Sequence, residues 1–502
     1  MVMRSFSKSV LVAVVAGVVA VTGAGYASAA GSSDTSQGLP TTEIAQAFAA
    51  TGAAPTAAPD AALAPRATVR VSKGSRGSLT QLRGTKGCIG MSAARKKGCA
   101  KARALKGPGP FMGSRAIALS SDGKHAYVAA SNSDAIAVFK RNKKSGVLTQ
   151  SKGVSGCISL NGAHGCRSAV GLDGPNSIAV SSDGRTVYAT SRNSNSVTSF
   201  ARNKRTGGLS QVNCVAGTAT TGCATGVALD GPDVVVASND GRNVYVGSFF
   251  GNAVSAFSRD ASNGALTQLA GEAGCIATST VGCATGLALN AIEGLAISSV
   301  GDTVYTGSAV SNAIAVLTRQ SDGSLTQASD GSGCVTTVPV EGCATGRQLA
   351  GANAVALSPN NKNLYATSLF SNAVTTFGRS SAGTIGQKPG IAGCTVNQGA
   401  QNCRFGRKMS QPEGLVVSPD GRNVYATAFG SNAIDVMRRS TSSGSLKQAP
   451  RTDTCVAAKP GSDCTKGRAL GGVSSVAVSP DGKFVYATAF KSEAVVAFKR
   501  NK

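Results

Sequence analysis

The 502-residue sequence has no tryptophan, only two histidines, and 24 acidic residues against 50 lysines and arginines. It contains no Cys-x-x-Cys pair and no His-rich partner for one, so neither a zinc site nor a dithiol redox centre is expected. It also has no recognisable nucleic-acid recognition motif, although scattered Tyr and Phe could stack on bases. The sequence therefore predicts no metal, no cofactor and no specific nucleic-acid partner.

The N-terminal region differs in kind from the rest of the chain. Arg4 and Lys8 precede a valine-rich stretch at 10–21 and a small-residue end at 27–29, a pattern typical of a secretory signal peptide over residues 1–29. Residues 30–65 are rich in Ala, Ser, Thr and Pro without apolar periodicity, which predicts a disordered tether. No later segment offers eighteen uninterrupted apolar residues, so we expect no transmembrane segment. Residues 66–502 then form the folded part of an exported monomer, extracellular or associated with the cell surface.

The formal charge of the whole chain is +26, and removing Arg4 and Lys8 with the signal leaves 26 − 2 = +24. Such a chain is attracted to polyanions, which include cell-wall polymers, acidic membrane surfaces and nucleic acids. The same charge also promotes solubility and general adhesion to the envelope.

A tyrosine phrase such as "SSDGRTVYATS" recurs every 57 to 61 residues, which indicates a repeat architecture. Each phrase predicts two strands joined by an Asp-Gly turn, because the flanking residues are β-branched or alternate and Gly accepts positive φ. A third strand follows in "NAVSAFSR" and its equivalents, and a fourth in a Gly-x-Leu/Ile-x-Gln phrase. The seven tyrosines are Tyr127, Tyr188, Tyr245, Tyr305, Tyr365, Tyr425 and Tyr486.

The fourth-strand phrase first occurs at 77–81, before any tyrosine unit, and the last tyrosine unit lacks one. The N-terminal strand is therefore expected to complete the last blade, which removes the exposed edges of an open sheet. The prediction is an all-β, seven-bladed propeller of four-stranded antiparallel blades.

All fourteen cysteines follow the fourth-strand phrases in closely spaced pairs. Even numbers at repeated spacing in an exported protein predict disulfides, and a local pair in each repeat is the simplest connectivity. Such bridges would staple the loops that lead into the next blade. The pairs are Cys88 with Cys99, Cys157 with Cys166, Cys214 with Cys223, Cys275 with Cys283, Cys334 with Cys343, Cys394 with Cys403, and Cys455 with Cys464.

Aligning the repeats on their tyrosines places a polar residue at the start of every innermost strand. These seven residues, which we call the polar ring, are Arg115, Asn176, Asp233, Glu293, Asn353, Glu413 and Ser474. Converging polar groups at a channel mouth are a candidate ligand site, and the three carboxylates with an arginine could serve acid/base chemistry or hold a cation. The alternative is that they hydrate the channel and cap the inner strands. The catalytic candidates are Glu293, Glu413, Asp233 and Arg115.

The pattern "SPDGRNVYAT...SNAI" resembles secreted seven-bladed propellers with YVTN-type repeats, which overlap with the lactonase-like propeller family. The resemblance covers residues 77–502 and implies a propeller fold and, for an enzyme, lactone hydrolysis. Members resemble "GPRH" ahead of an inner strand, where this chain has "GSRA": Arg115 matches the arginine, and Ala116 replaces the histidine. His125 and His164 are both expected at the surface and outside the polar ring, which argues against a His-based mechanism.

Three further sets of residues recur. An apolar arc follows the second strands of five repeats, and Ser131 and Arg192 take that place in the other two. The arc suits an amphipathic ligand or packing under neighbouring loops. Its residues are Phe249, Ala309, Leu369, Phe429 and Phe490. Asparagines at third-strand starts are expected to cap turns; they are Asn195, Asn252, Asn312, Asn372 and Asn432. Two basic clusters indicate adhesion: Lys140, Arg141, Lys143, Lys144, Arg202, Lys204 and Arg205 on one face, and Arg404, Arg407, Lys408, Lys466, Arg468, Lys96, Lys97 and Lys101 on the other.

Two functional hypotheses follow. The first is a secreted, disulfide-stapled binding module for an acidic envelope polymer, a peptide or a partner protein. The second is a lactonase-like hydrolase or isomerase that acts on a small lactone at the polar ring, with Glu293 or Glu413 as base and Arg115 steering an anionic substrate.

Overall fold

Each tyrosine repeat folds as one blade of a seven-bladed β-propeller, and the blades are numbered 1 to 7 in the order of their tyrosines. The computed structural model describes residues 75–109, 115–397 and 402–502. The predicted signal peptide (1–29) and tether (30–65) lie outside the described residues. No helix within the described ranges is long and apolar enough to span a membrane.

The innermost strand of each blade lines the propeller axis and pairs with a buried second strand. The innermost strands are Ile117–Leu119, Pro175–Val180, Pro232–Ala237, Ile292–Ile297, Ala352–Leu357, Pro412–Val417 and Val473–Val478. The second strands are His125–Ala130, Thr186–Ser191, Asn243–Ser248, Thr303–Ser308, Asn363–Ser368, Asn423–Ala428 and Phe484–Ala489. The turn between them forms as predicted: in blade 2, Ser181 donates to Asp183 at 2.6 Å, and Gly184 has φ of 64°.

The third strands end in arginine in every blade. They are Ala135–Arg141, Ser196–Arg202, Ala253–Arg259, Ala313–Arg319, Ala373–Arg379, Ala433–Arg439 and Ala494–Arg500.

The outer part of each blade is more elaborate than a single fourth strand. In six blades the fourth strand is split into two segments that both pair with the third strand, whereas in blade 2 it is continuous (Leu209–Ala216). The reason is visible in the sequence, since blade 2 has two residues between its Gln211 and Cys214 where the other blades have six. The first segments are Leu148–Gln150, Leu266–Gln268, Leu325–Gln327, Ile385–Gln387, Leu446–Lys447 and, in blade 7, Leu79–Gln81. The second segments are Cys157–Leu160, Cys275–Ala277, Gly331–Thr336, Cys394–Asn397, Cys455–Ala457 and Cys88–Gly90.

A short parallel edge strand follows the second cysteine region of each blade, so the prediction of purely antiparallel four-stranded blades was too simple. These edge strands are Arg167–Ala169, Ala224–Thr225, Ala284–Thr285, Cys343–Thr345, Arg404–Gly406, Thr465–Lys466 and Ala100–Lys101. The helical elements are one α-turn, Ser92–Arg95, and 3₁₀ turns at Gly84–Gly87, Ser131–Ser133, Gly153–Gly156, Ala163–Gly165, Gly271–Gly274, Gly390–Ala392 and Thr452–Thr454. The edges are only two or three residues long, which limits pairing with other chains.

Circular closure is confirmed. The N-terminal strand Leu79–Gln81 pairs antiparallel with Ala494–Arg500, so that Leu79 lies opposite Arg500 and Gln81 opposite Phe498. The first and last described strands thus belong to the same blade.

A repeated tyrosine–arginine contact joins neighbouring blades. The Nε of each third-strand arginine donates to the buried tyrosine hydroxyl of the preceding blade at 2.6–3.0 Å. In six blades the guanidinium also pairs at 2.7–3.0 Å with the Asp of the preceding blade's turn. In blade 6, Arg439 faces Asn360 instead. Arg141 and Arg202 are therefore buried components of these contacts, and assigning them to a basic surface cluster was wrong.

These contacts set the charge of the turn aspartates. For Asp481, partial burial favours the neutral acid, but hydrogen bonds from Ser479 and the Lys483 backbone N–H, together with Arg141, outweigh it and lower the pKa to about 2. Each paired aspartate therefore forms an ion pair between its own blade and the arginine of the next blade.

Two further side chains cross-link the blades. The fourth-strand glutamine of one blade bonds the backbone of the preceding blade's stapled loop, as when Gln268 Oε1 accepts from the Val227 N–H at 2.8 Å. Each predicted cap asparagine accepts from the backbone N–H of the connection into the next blade, as Asn252 Oδ1 does from Ala291 at 2.7 Å. These asparagines also have φ near 50°, the left-handed region that Asn tolerates better than most residues. They therefore hold blades together as well as ending turns.

The predicted cysteine pairs are all present as disulfides. All fourteen cysteines lie within the described residues and form seven local bridges with Cα–Cα distances of 4.7–4.9 Å. The bridged loops and the loops between second and third strands lie on one face of the propeller, which we call the stapled-loop face. The Asp-Gly turns lie on the opposite face, which we call the turn face.

Candidate functional site

The polar ring lies where the innermost strands begin, on the side of the stapled-loop face. Six of its residues occupy the second position of an innermost strand, and Arg115 lies two residues before one. In those six blades the register between first and second strands shifts at this position, as between Pro175 and Ser177 around Asn176. A bulge re-aims the side chain and is frequent beside functional sites. The ring side chains are therefore placed by a repeated backbone irregularity.

The ring is buried. Apart from the partly exposed Arg115, its members are at most 3% exposed. In this conformation a bulky substrate cannot reach their carboxylates from solvent.

Asp233 is the best-connected member of the ring. Its Oδ1 accepts a hydrogen bond from the Asn176 amide and lies 3.8 Å from the Nε of Arg192. Burial raises the pKa of Asp233, whereas Arg192 and Asn176 oppose that rise. Arg192 in turn stacks 4.5 Å from the centre of the Phe249 ring. Arg192 is thus a second cation of the site; the signal for it was an arginine at an otherwise mostly apolar position of the arc.

The surroundings of Glu293 favour its neutral acid form. Burial raises its pKa well above the ordinary value, and the nearby charges of Asp233 and Glu413 raise it further, while Arg192 acts in the opposite sense. A protonated carboxyl donates a hydrogen bond or a proton, and it cannot act as a base until it has lost that proton. When protonated, Glu293 is therefore suited to general-acid or donor chemistry.

Asn353 occupies the ring position in blade 5, between the blades that carry Glu293 and Glu413. It is fully buried, and neither polar atom of its side-chain amide has a hydrogen-bond partner among the described residues. Its backbone carbonyl packs against Gly307, where an added Cβ would lie 1.8 Å from the Asn353 oxygen. The glycine is required here because the two backbone segments approach too closely for any side chain.

Threonine takes the place of that glycine in blades 2, 5, 6 and 7, and in blades 5 and 6 it bonds a backbone carbonyl of the next blade. Thr367 Oγ1 donates to the Glu413 backbone carbonyl at 2.8 Å, and Thr427 bonds the carbonyl of Ser474 in the same way. The hydroxyl of Ser474 donates to the Gly109 carbonyl at 2.7 Å. Hydrogen bonds between neighbouring blades therefore hold the ring positions of blades 6 and 7.

Arg115 lines an axial cavity of about 500 Å3. Burial lowers the pKa of its guanidinium to about 10, and no carboxylate of the described residues contributes to that pKa. The walls are mostly Ala, Val, Ile and Leu of the innermost strands, and the lining extends to Asn239, Ser299 and Pro480 at the turn face. Arg115 thus lies on the axial cavity, and burial is what lowers the pKa of its guanidinium.

Within the described ranges no group of three or more His, Cys, Asp and Glu side chains is placed to hold a metal ion.

Comparison with known proteins finds one family model that is similar to part of the chain. Residues 103–282, 180 of the 502, match the family described as "Lactonase, 7-bladed beta-propeller". Over these residues the chain is similar to that family, and its structure is a seven-bladed propeller. No curated protein matches its sequence.

Solved structures similar to this propeller include the periplasmic gluconolactonase of Pseudomonas aeruginosa, with 17% identity, a TM-score of 0.48, and coverage of 73% of this chain and 88% of that one. Another is hydrazine synthase of Kuenenia stuttgartiensis, with 17% identity, a TM-score of 0.47, and coverage of 78% and 96%. At these identities and scores, neither likeness carries a functional assignment.

The histidines of this propeller lie away from the ring. Ala116 is buried at the position where the family pattern suggests histidine. His164 is exposed in a stapled loop as expected, but the surface assignment of His125 was wrong. His125 is buried with Nδ1 2.7 Å from the Nη2 of Arg202, and burial followed by that positive charge lowers its pKa to about 4. The error arose because the third-strand arginine of the next blade covers it.

The apolar arc is largely packed. Ala309, Leu369 and Phe429 are buried, and Phe249 and Phe490 are half-buried. The residue that follows the arc position is instead exposed in blades 3, 4 and 5, where it is Phe250, Val310 and Phe370.

Proposed function

We propose that this propeller is a secreted binding module that takes an acidic polymer, peptide or partner protein of the cell envelope on its stapled-loop face. The observation that carries the proposal is a concentration of exposed cations on that face in blades 6 and 7. We call this set the basic sector; it consists of Arg95, Lys96, Lys97, Lys101, Lys106, Lys459, Lys466 and Lys491. The exposed carboxylate among the described residues of these loops is Asp463.

The rigidity of the loops supports a binding role. The disulfide Cys88–Cys99 encloses Lys96 and Lys97, and Lys97 also donates to Ser492 at 3.0 Å. Because the loops are already ordered, binding costs less conformational entropy than it would for free loops.

Salt-dependent binding to an acidic polymer tests this function. Immobilised polyglutamate is the probe, and the variant replaces Lys96, Lys97, Lys101 and Lys466 with Gln. Its matched control removes four exposed charges from the turn face: Lys143, Lys144, Lys204 and Arg205. Removing four cations from the contact surface should weaken binding at least about tenfold in dilute salt, because exposed charges are screened only beyond roughly 10 Å at 0.1 M ionic strength. Equal loss in both variants would show that net charge, and not the basic sector, governs binding.

Lactone hydrolysis is the second candidate, favoured by the family match over residues 103–282. Glu293 would act as a proton donor in the ring, with Arg192 and Asp233 setting the local charge. Proton release from a panel of lactones at fixed pH tests this reaction, and the Glu293→Gln, Glu413→Gln variant is the comparison. Release by the unmodified chain that the variant loses would favour hydrolysis at the ring, and no release above buffer would count against it for that panel.

A further inference from the structure

The stapled-loop face has a second sector that differs sharply from the basic one. The stapled loops of blades 2, 3 and 4 span 214–232, 275–292 and 334–352, and their charged residues are Asp230, Glu341 and Arg347. Two negative charges and one positive charge leave this side of the face nearly neutral. The face is therefore divided between a basic side and a weakly charged side.

Large apolar side chains project from the weakly charged side. Val281 is 94% exposed at a loop tip, Val310 is 66% exposed and Phe250 is 59% exposed. With four further exposed apolar residues they make up a set that we call the apolar sector: Val227, Phe250, Val281, Val310, Val338, Val340 and Phe370. Exposed apolar side chains of four neighbouring blades thus lie on the same side of the stapled-loop face.

The backbone holds these side chains outward. The Cys275–Cys283 bridge encloses Val281 near its tip. Phe250 lies over Gly231, where a Cβ would come within 2.5 Å of its ring, and it packs edge-on against Phe249 with ring centres 5.0 Å apart. Phe370 lies over Gly351 in the same way. The exposure is therefore built by repeated local structure and is not the result of loose loops.

We propose that the stapled-loop face docks on an anionic lipid bilayer, with the apolar sector entering the headgroup boundary and the basic sector contacting acidic headgroups. This inference rests on the proposed function, because it uses the basic sector as its electrostatic half. A bilayer presents negative charge directly beside an apolar layer, which matches the two sectors. The apolar residues are single tips on separate blades, and a fluid surface accepts such tips without the shape complementarity that a protein partner needs.

Vesicle binding tests the proposal. The probes are phosphatidylcholine vesicles with and without phosphatidylglycerol, and binding is measured by flotation of the purified chain. Val281→Ser is compared with Val300→Ser, because Val300 is 72% exposed but lies in an Asp-Gly-type turn on the opposite face. We expect binding only to vesicles that contain phosphatidylglycerol, weakened about three- to tenfold by Val281→Ser and unchanged by Val300→Ser. The Phe250→Ser, Val281→Ser, Val310→Ser variant should lose binding altogether.

The polyglutamate assay separates this inference from the proposed function. Vesicle binding lost in the apolar variants while polyglutamate binding is retained would support both statements. An unmodified chain that binds polyglutamate but neither kind of vesicle would overturn the bilayer proposal alone and point to an acidic protein or polymer. Binding to neither probe would overturn both. Equal effects of the Val281 and Val300 substitutions would also overturn the bilayer proposal, and because both side chains are exposed, unchanged thermal unfolding verifies that each variant folds.

Discussion

The closure of the propeller is open to a direct test at Tyr425. Its hydroxyl accepts from Arg500 Nε at 2.7 Å and donates to the Gly77 carbonyl at 2.8 Å. Arg500 ends the third strand of blade 7, and Gly77 precedes the N-terminal strand that completes the same blade. One buried hydroxyl thus joins blade 6 to the two strands of blade 7 that come from opposite parts of the sequence, Leu79–Gln81 and Ala494–Arg500.

Replacing Tyr425 with Phe removes both hydrogen bonds and preserves the packed ring. A neutral hydrogen bond contributes about 1 kcal/mol and one to a charged group about 1.5–3 kcal/mol, so we expect a loss of roughly 2–4 kcal/mol. The buried Nε of Arg500 would also be left without this acceptor, which favours the upper part of that range. Since 1.4 kcal/mol corresponds to a factor of ten, local opening should increase by about thirtyfold or more.

Hydrogen exchange of the strand Leu79–Gln81 is the measurement. The matched control is Tyr365→Phe, which removes the same two contacts, to Arg439 at 2.6 Å and Gly444 at 2.7 Å, at an interface away from the chain ends. Both variants should lower the free energy of unfolding by similar amounts, but only Tyr425→Phe should accelerate exchange in the N-terminal strand. Equal exchange rates of that strand in both variants would contradict the role of Tyr425 in closure. A loss of less than about 0.5 kcal/mol in both variants would contradict it as well, since a buried unsatisfied donor costs at least about 1 kcal/mol.

Three further predictions concern stability. Because folding lowers the pKa of Asp481, this residue stabilises the folded state above the unfolded pKa near 4, and that stabilisation is lost as pH falls toward 2. The Asp481→Asn variant should therefore lose less stability in acid than the unmodified chain when the denaturant midpoint is measured against pH. The same acid dependence in both chains would contradict the pairing of Asp481 with Arg141. The Cys275→Ser, Cys283→Ser double variant should lose about 2–3 kcal/mol in non-reducing guanidinium unfolding, and no change would mean that the loop is ordered without its bridge. Gly307→Ala should destabilise the protein by more than about 2 kcal/mol, because the added Cβ overlaps the neighbouring carbonyl. Gly386→Ala should change stability little, because nothing lies within 4 Å of its added Cβ. Equal shifts of the unfolding temperature in the two variants would disprove this steric explanation.

The repeated strands were predictable because their signals are local. Asp-Gly turns, β-branched flanking residues and a fourth-strand phrase displaced to 77–81 were enough to predict seven blades and circular closure. The disulfides were predictable for the same reason, since each bridge joins cysteines 8 to 11 residues apart. The split fourth strand and the parallel edge strand were missed because they depend on how the stapled loop folds back on its own blade.

The sequence contains a regular signal for the blade interfaces, but it does not show which residues pair there. Every repeat tyrosine is followed fourteen residues later by an arginine, as Tyr305 is by Arg319. The two do not bond to each other: Arg319 contacts Tyr245 of the preceding blade, and Tyr305 contacts Arg379 of the next. A constant spacing identifies equivalent positions in a repeat, but only the stacking of blades selects the partner.

The polar ring shows the same division. The sequence by itself determined which seven residues lie at or just before the start of the innermost strands, because alignment on the tyrosines fixes their position in each repeat. Only the tertiary structure decided that six of them are buried at bulges, that Arg192 pairs with Asp233 from a loop, and that burial and neighbouring carboxylates raise the pKa of Glu293. Burial and charge coupling arise between blades, so a pattern read along one chain predicts the residues of the ring but not their protonation or their access to solvent.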